Sequence, residues 1–230
     1  MRARGIVIAI DGPAGVGKST VGKMVAGRVG YSFISTGKMY RALAWKALQL
    51  GLDLENDDAL VGLAGSLKWE FPAGSGPEAG VSIDGRVLDR EITDERVGKA
   101  SSGIARFAGV RLFMRGMQRQ AGAAGGVVME GRDIGTNVFP DAELKVYLDA
   151  SPEARAQRRA GQLGAQGLAA DYAQILDFII KRDAQDKGRK NNPLTKAPGA
   201  HYLDSTAMPR EKVVDAIVQL FAAAAKALKP

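Results

Sequence analysis

A glycine-rich segment near the N-terminus follows a short apolar run and constrains the fold more than any other feature. The segment matches the pattern G-x-x-x-x-G-K-[ST] of phosphate-binding loops. Its residues are Gly12, Pro13, Ala14, Gly15, Val16, Gly17, Lys18, Ser19 and Thr20. Residues 5–11 (GIVIAID) predict a buried strand before the loop, and residues 18–29 predict a helix after it. A strand, a glycine-rich turn and a helix in this order predict a parallel α/β protein that binds phosphate groups.

Each residue type in this loop has a physical task. Glycines let the backbone curve around phosphate oxygens with its N–H groups pointing inward, and the helix N-terminus adds the positive end of a dipole. Lys18 supplies a charge for the β- and γ-phosphates, and the Ser19 hydroxyl is placed to ligate Mg²⁺. The loop therefore predicts the binding of ATP with Mg²⁺ and leaves the reaction open.

The rest of the chain alternates buried strands with helices, apart from one antiparallel segment. Further strands are predicted at 31–34, 127–130, 144–149 and 201–204, and helices at 37–50, 57–67, 94–105, 109–121, 171–189 and 209–228. Another helix begins at Ser151 and Pro152, and the glycines of 161–167 are expected to interrupt it. Residues 65–93 are predicted to form a small antiparallel insert. Within it, residues 67–71 alternate like a strand, a loop follows at 72–80, and strands at 81–83 and 86–88 flank a hairpin turn at Asp84 and Gly85. The expected fold is a five-stranded parallel sheet with flanking helices and a small antiparallel insertion.

Composition excludes several kinds of site. The chain of 230 residues has no cysteine and one histidine, which excludes thiolate chemistry and disfavours histidine-based metal sites. No apolar run approaches the length of a membrane span, no signal peptide is recognised, and a cytoplasmic protein is expected. The net charge of +7 permits nucleic-acid binding, but the basic residues are scattered rather than clustered in a tail. A cleft for small phosphorylated ligands is therefore preferred to a nucleic-acid surface.

Helix periodicity indicates which charged residues face a cleft. The GTPase motifs N-K-x-D and D-x-x-G are absent, which leaves a small kinase that needs arginines between two substrates. In the helix 171–189, the line of Tyr172, Ile175 and Ile179 continues through three charged residues, Arg182, Asp186 and Arg189. The helix is expected to run from the core into a polar cleft, with Arg182 and Asp186 paired. The alternative is a solvated ion-pair face.

Two further residues and one group of arginines each allow two interpretations. Arg111 shares a helix face with apolar residues, so it either meets an anion or forms a structural salt bridge. Asp133 follows a buried strand at the sheet edge where ligands bind, and it either accepts from a base amine or caps the next turn. Arg155, Arg158 and Arg159 belong either to a hinged lid near 161–167 or to a solvated helix face.

Several segments together resemble one family over essentially the whole length of the chain. They are IDGPAGVGKST, STGKMYRALA, the V-x-x-A-S and R-x-x-x-V-R patterns near Ser101 to Arg111, EGRDIGTNVFPDAELKVYLDAS, ARAQRR, IIKRDAQDKGR and YLDST. The chain thereby resembles bacterial cytidylate kinases. The stretch G-R-D-x-G-T-x-V-F-P-D-A is the most specific, because adenylate, guanylate and thymidylate kinases share only the phosphate loop and the general architecture. The family carries a small β-containing insertion in its monophosphate-binding domain, which matches residues 65–93.

The resemblance implies a reaction and residue roles. It implies phosphoryl transfer from ATP to CMP, and also to dCMP, by a monomer that binds neither nucleic acid nor membrane; other acceptors such as UMP remain an alternative. It implies a core at 1–36, 105–150 and 168–230, a monophosphate-binding insertion at 37–104 and a lid at 151–167. The implied substrate-binding residues are Ser35 or Thr36, Arg41 and Arg132 for the phosphate side, Ser102, Arg111 and Asp133 for cytosine, Arg182 and Asp186 for the ribose, and Arg189 for the phosphates. The implied catalytic residues are Lys18, Arg132, Arg155, Arg159 and Arg189.

Overall fold

The computed structural model describes residues 2–71 and 80–227. Its strands are β1 (Val7–Asp11), β2 (Ser32–Ser35), β3 (Trp69–Glu70), β4 (Val81–Ile83), β5 (Arg86–Leu88), β6 (Val127–Gly131), β7 (Leu144–Asp149) and β8 (His201–Asp204). Its α-helices are α1 (Lys18–Val29), α2 (Thr36–Gln49), α3 (Asp57–Ser66), α4 (Glu95–Ile104), α5 (Ala108–Gly122), α6 (Pro152–Ala165), α7 (Tyr172–Lys187) and α8 (Arg210–Ala227). A 3₁₀ turn covers Arg90–Ile92 and a π-helical turn covers Ile134–Val138.

A five-stranded sheet in the order β2-β6-β1-β7-β8 forms the centre of the molecule. All its pairings are parallel, and β1 lies in the middle, with Ala9 opposite both Met129 of β6 and Lys145 of β7. The strands β1 and β6 are buried along their whole length, which explains their continuous apolar character. The predicted five-stranded parallel sheet is therefore confirmed.

Helices cover both faces of this sheet. On one face, side chains of β1 such as Ile8 and Ile10 pack against Val25 of α1 and Ile217 of α8. On the other face, Ala9 and its neighbours pack against the turn after β6. A third core lies between α2, α3, α4, α5 and the small sheet. This arrangement is a layered α/β architecture with an additional helical unit on the β2–β6 side.

The antiparallel insertion is present as a three-stranded sheet in the order β3-β4-β5. The hairpin turn lies at Asp84 (φ 53°) and Gly85 (φ 76°), as predicted from the Asp-Gly pair, since both central residues have positive φ. The predicted strand around residue 69 is limited to Trp69–Glu70. Most of the predicted loop at 72–80 lies outside the described residues.

Two expectations about the last helices were confirmed only in part. The helix that begins after the N-cap Ser151 ends within 161–167 as expected, but it continues past Gly161 to Ala165, because an internal glycine costs only about 1 kcal/mol and takes helical φ and ψ readily. Along the expected apolar line of α7, Ile179 is buried, whereas Tyr172 is exposed and the helix packs mainly on α6 rather than on the sheet. Within the described ranges, no helix is both long and apolar enough to span a membrane.

Candidate active site

The phosphate loop connects β1 to α1, and three of its glycines have positive φ: Gly12 (152°), Gly15 (74°) and Gly17 (99°). At Gly12 a Cβ atom would lie 2.0 Å from the carbonyl oxygen of Leu148 in β7, so no other residue fits there. Side chains are disfavoured at such φ values, which explains the glycine pattern of the motif. The loop therefore sits at the carboxyl end of the central strand, where open α/β sheets bind ligands.

Lys18 lies inside this loop and is 5% exposed. Its Nζ atom donates to the carbonyl oxygens of Gly12 at 2.8 Å and Pro13 at 2.7 Å. Burial, together with the positive charge of Arg132, lowers the pKa of Lys18 to about 7. An anion in the loop would reverse this shift, because it favours the charged ammonium. The site is thus arranged for a phosphate that supplies the missing negative charge.

A carboxylate of β6 lies between the phosphate loop and the end of β2. Glu130 Oε1 accepts from the Ser19 hydroxyl at 2.8 Å and from the Ser35 hydroxyl at 2.5 Å. Thr36 donates through Oγ1 to the carbonyl oxygen of Glu130 at 2.9 Å. Sequence reasoning did not count Glu130 among the site residues, although a carboxylate at the carboxyl end of a predicted buried strand was a usable signal.

This oxygen-rich corner is also where a divalent cation would bind. A hard cation such as Mg²⁺ takes oxygen ligands and usually one or two carboxylates plus substrate phosphates. The Ser19 hydroxyl and the Glu130 carboxylate, already in contact, fit that donor set. Among residues 2–71 and 80–227, no group of three or more His, Cys, Asp or Glu side chains forms an all-protein metal cage.

An open cleft of roughly 550 Å³, counting the solvent at its mouth, lies beside this corner. Its lining comes from α2, α4, α5, the segment after β6 and α7, and comprises Thr36, Gly37, Tyr40, Arg41, Ser101, Ser102, Ala105, Arg111, Gly131, Arg132, Asp133, Arg182, Asp186 and Arg189. Five guanidinium groups face two carboxylates there, an excess of three positive charges. The substrate-binding residues expected from the sequence all line this cleft except Ser35, which bonds to Glu130 at its edge.

Asp186 anchors the arginines at the floor of the cleft. It is 2% exposed, its Oδ2 accepts from Nε of Arg132 at 2.8 Å, and its Oδ1 pairs with Arg189. Burial alone would raise the pKa of Asp186, but the charges of Arg132 and Arg189 outweigh it and lower that pKa below its ordinary value. The expected pairing of Asp186 with Arg182 was wrong, because Arg132, which follows β6, takes that position instead.

Arg111 and Asp133 meet on the other side of the cleft. NH2 of Arg111 lies 2.5 Å from Oδ2 of Asp133, and both side chains are largely buried. The salt-bridge interpretation of Arg111 is therefore realised, but inside the cleft rather than in the core. The capping interpretation of Asp133 was wrong, because its carboxylate makes no side-chain bond to the π-helical turn that follows.

Several guanidinium nitrogens in the cleft have no acceptor among the described residues. The Nε atoms of Arg111, Arg182 and Arg189 are buried without a hydrogen-bond partner there. Burial and the nearby Arg132 also lower the pKa of Arg182 to about 10. Arg41 donates to the carbonyl oxygen of Ile92 at 2.6 Å. Buried donors are normally satisfied, so this cleft is built for an anionic, oxygen-rich ligand.

The three arginines of α6 occupy different environments. Arg155 is 2% exposed and its guanidinium meets Asp183 and carbonyl oxygens of the chain. Arg158 donates to Ser205. Arg159 is exposed, and its charge contributes to lowering the pKa of Arg41. The three arginines therefore share neither a lid surface nor a solvated helix face, the two interpretations that the sequence allowed.

A further buried carboxylate, that of Asp11, connects the end of β1 to the segment that follows Asp133. Asp11 ends β1 and is 3% exposed; its two oxygens accept from the backbone N–H groups of Ile134 at 2.8 Å and Gly135 at 2.7 Å. Burial raises the pKa of Asp11 to about 6 despite these two bonds. Sequence reasoning treated Asp11 only as the end of a strand, because its partners lie more than 120 residues away.

Comparison with known proteins identifies the family. A family model for cytidylate kinase matches residues 8–223. A cytidylate kinase from Pelotomaculum thermopropionicum is 45% identical over 211 residues, which cover 92% of this chain and 93% of the relative. A cytidylate kinase from Geobacter sp. (strain M21) is 42% identical over 215 residues, which cover 94% and 92%.

Solved structures support the same fold at much lower identity. An uncharacterized protein from Eubacterium ventriosum has a TM-score of 0.52 at 12% identity and covers 94% of this chain and 98% of that protein. A gluconokinase from Sinorhizobium meliloti has a TM-score of 0.50 at 18% identity and covers 99% and 97%. These two structures show the fold alone. With a family model over most of its length and relatives above 40% identity, the chain belongs to the cytidylate kinase family.

Proposed function

We propose that the chain transfers the γ-phosphoryl group of ATP to CMP, and also to dCMP, giving ADP and CDP or dCDP. The observation that carries this proposal is the arginine-rich cleft next to the phosphate loop, with Arg111 and Asp133 facing each other inside it. The relatives named cytidylate kinases support the choice of acceptor. A kinase needs two adjacent anionic sites, and the loop and the cleft supply them.

On the donor side, residues 12–20 hold the phosphates of ATP and Lys18 contacts the group in transfer. Ser19 and the Glu130 carboxylate would hold Mg²⁺, which would neutralise phosphate charge there. Positioning and charge stabilisation are the main tasks of a protein in phosphoryl transfer. The buried setting of Lys18 strengthens its attraction to the phosphates, because the local dielectric constant is low.

On the acceptor side, each group has a proposed partner on the monophosphate. Ser35 or Thr36, with Arg41 and Arg132, holds its phosphate; Ser102, Arg111 and Asp133 read cytosine; Arg182 and Asp186 hold the ribose; Arg189 contacts the phosphates. Asp133 accepts from the exocyclic amine of cytosine, while Arg111 donates to its O2/N3 edge. Uracil presents a carbonyl where cytosine has the amine, so two acceptors would face each other.

During transfer, arginines stabilise the charge that moves between the substrates. We assign this task to Arg132 and Arg189, which converge on Asp186, and to Arg159 on the exposed side of α6. The acceptor is an ionised phosphate, so the reaction needs no general base. A lid at residues 151–167 would exclude water, with a core at 1–36, 105–150 and 168–230 and a monophosphate-binding unit at 37–104.

A coupled ADP-release assay with CMP, dCMP, UMP and AMP tests this proposal. CMP should exceed UMP by at least about 100-fold in kcat/KM, because a mismatched buried polar pair is rejected strongly. The variant Asp133→Asn should narrow that ratio, while Asp177→Asn, an exposed position on α7, should leave it unchanged. Equal use of UMP by the wild-type protein would contradict the proposal. We also expect a cytoplasmic monomer, which cell fractionation and sedimentation would test.

A further inference from the structure

The guanidinium of Arg155 is almost fully committed to acceptors of the protein. Nε donates to the carbonyl oxygen of Ala150 at 3.0 Å, and NH1 donates to Ala14 and to Asp183 Oδ1, both at 3.0 Å. NH2 lies 2.5 Å from Asp183 Oδ2. A guanidinium has five N–H groups, so these four contacts leave one for any other ligand. A phosphate would find little of Arg155 available.

The contact with Ala14 completes a pattern in the phosphate loop. The carbonyl oxygens of Gly12 and Pro13 accept from Lys18, and the next carbonyl, that of Ala14, accepts from Arg155. In a planar trans peptide the C=O and N–H groups point in opposite directions. Fixing the Ala14 carbonyl therefore fixes the direction of the Gly15 N–H, one of the groups that a phosphate loop offers to its ligand.

The counter-ion of Arg155 belongs to the helix that also lines the acceptor cleft. Asp183 and Asp186 are one turn apart on α7, and both are buried. Asp183 meets Arg155 under the phosphate loop, whereas Asp186 meets Arg132 in the cleft. One helix therefore contacts the donor site through one carboxylate and the acceptor site through the other.

We propose that Arg155 and Asp183 are positioning residues that hold the phosphate loop in its binding conformation from α7, without touching the transferring phosphate. This role replaces the catalytic role that the family resemblance implied for Arg155. This inference rests on the proposed function, because it takes ATP to be the nucleotide that the phosphate loop binds. It predicts that Asp183, on the helix α7 that also lines the acceptor cleft, controls the affinity of the protein for ATP.

Direct binding of a non-hydrolysable ATP analogue with Mg²⁺, measured by calorimetry, tests this role. The variants are Arg155→Met, Asp183→Asn and the double variant, with Asp177→Asn as the control, because Asp177 forms an exposed pair with Lys181 on the same helix. Each single variant should weaken binding about tenfold, the effect of one lost charge-assisted hydrogen bond. The double variant should lose no more than either single one, since all three break the same connection.

Thermal unfolding of the same proteins separates positioning from stability. Removing one partner of a buried ion pair is strongly destabilising because it leaves the other charge buried and unpaired, and the double variant leaves no such charge. The double variant should therefore recover melting temperature without recovering affinity for the analogue. If Arg155→Met does not fold, Arg155→Lys replaces it, and its affinity for the analogue and its melting temperature are compared with those of Asp183→Asn.

Three results would overturn the role. If Arg155→Met weakens binding and Asp183→Asn does not, Arg155 contacts the nucleotide directly. If the two losses multiply in the double variant, the residues act separately. If binding is unchanged while the melting temperature falls, the pair serves stability alone. Failure of CMP phosphorylation by the wild-type protein would contradict the proposed function and leave this binding test intact.

Discussion

Replacing Asp186 with asparagine removes the carboxylate that two arginines of the cleft share. Asp186 is 2% exposed, Arg132 donates to one of its oxygens at 2.8 Å, and Arg189 pairs with the other. Removal of one partner from a buried ion pair costs about 3–5 kcal/mol. Asparagine keeps one acceptor oxygen, so a loss near the lower limit, about 3 kcal/mol of unfolding free energy, is expected.

Thermal unfolding and steady-state kinetics measure the two consequences. For a chain of this size, about 3 kcal/mol corresponds to a decrease of roughly 6–12 °C in melting temperature. The measurement belongs in buffer free of phosphate and sulfate, because such anions would compensate the charge of the two arginines that have lost their carboxylate. The KM for CMP should rise at least about tenfold, while the KM for ATP changes little, since Asp186 is assigned to the ribose of the acceptor.

The variant Asp177→Asn is the matched control, because the same substitution on the same helix removes an exposed ion pair with Lys181. Exposed pairs contribute about 0–1 kcal/mol, so its melting temperature should change by no more than roughly 4 °C. If both variants behaved alike, Asp186 would be part of a solvated ion-pair face. That result would refute the assignment of the α7 stripe to the cleft.

Three further changes have defined outcomes. Lys18→Ala should lower kcat by at least about 100-fold in a protein that stays folded, as for other preorganised transition-state donors, and near-normal turnover would contradict its role. Arg189→Ala should lower kcat more than it raises KM for CMP, because its contacts strengthen as charge moves; unchanged kinetics would remove it from the reaction. Burial raises the pKa of Asp11 from 3.8 to about 6. Its contribution to the free energy of unfolding is therefore most favourable below pH 3.8 and is lost as the pH rises through 6. Wild-type protein should therefore lose about 2 kcal/mol relative to Asp11→Asn between pH 4 and pH 7 in urea unfolding, and a difference independent of pH would contradict the raised pKa.

Local sequence patterns were sufficient to predict features whose geometry depends on a single loop, helix or turn. The phosphate loop was predictable because the motif fixes its own backbone through glycines such as Gly12 and Gly15. The position of Arg182, Asp186 and Arg189 on the cleft followed from helical periodicity, since residues three and four apart share a face. The hairpin at Asp84 likewise depends on its own two residues.

Contacts between distant segments were not predictable in the same way. The partner of Asp186 is Arg132, 54 residues earlier, and the partner of Arg155 is Asp183, 28 residues later. Periodicity places a side chain on a face but does not say which other element approaches that face. The same limit explains why Asp11 was read only as the end of a strand.

The connection from β2 to β6 has a consequence for how acceptor selectivity can vary. It spans residues 36–126, although β2 and β6 are neighbouring parallel strands. A single helix of about a dozen residues is enough to connect two such strands. The closure entropy of the longer segment exceeds that of a single-helix crossover by only about 2 kcal/mol, because this cost grows with the logarithm of length. The segment offsets that cost with its own apolar core around Leu43, Leu60 and Met114. Insertions, deletions or exchange of this unit can therefore alter which monophosphate is accepted while the sheet and the nucleotide loop keep their geometry.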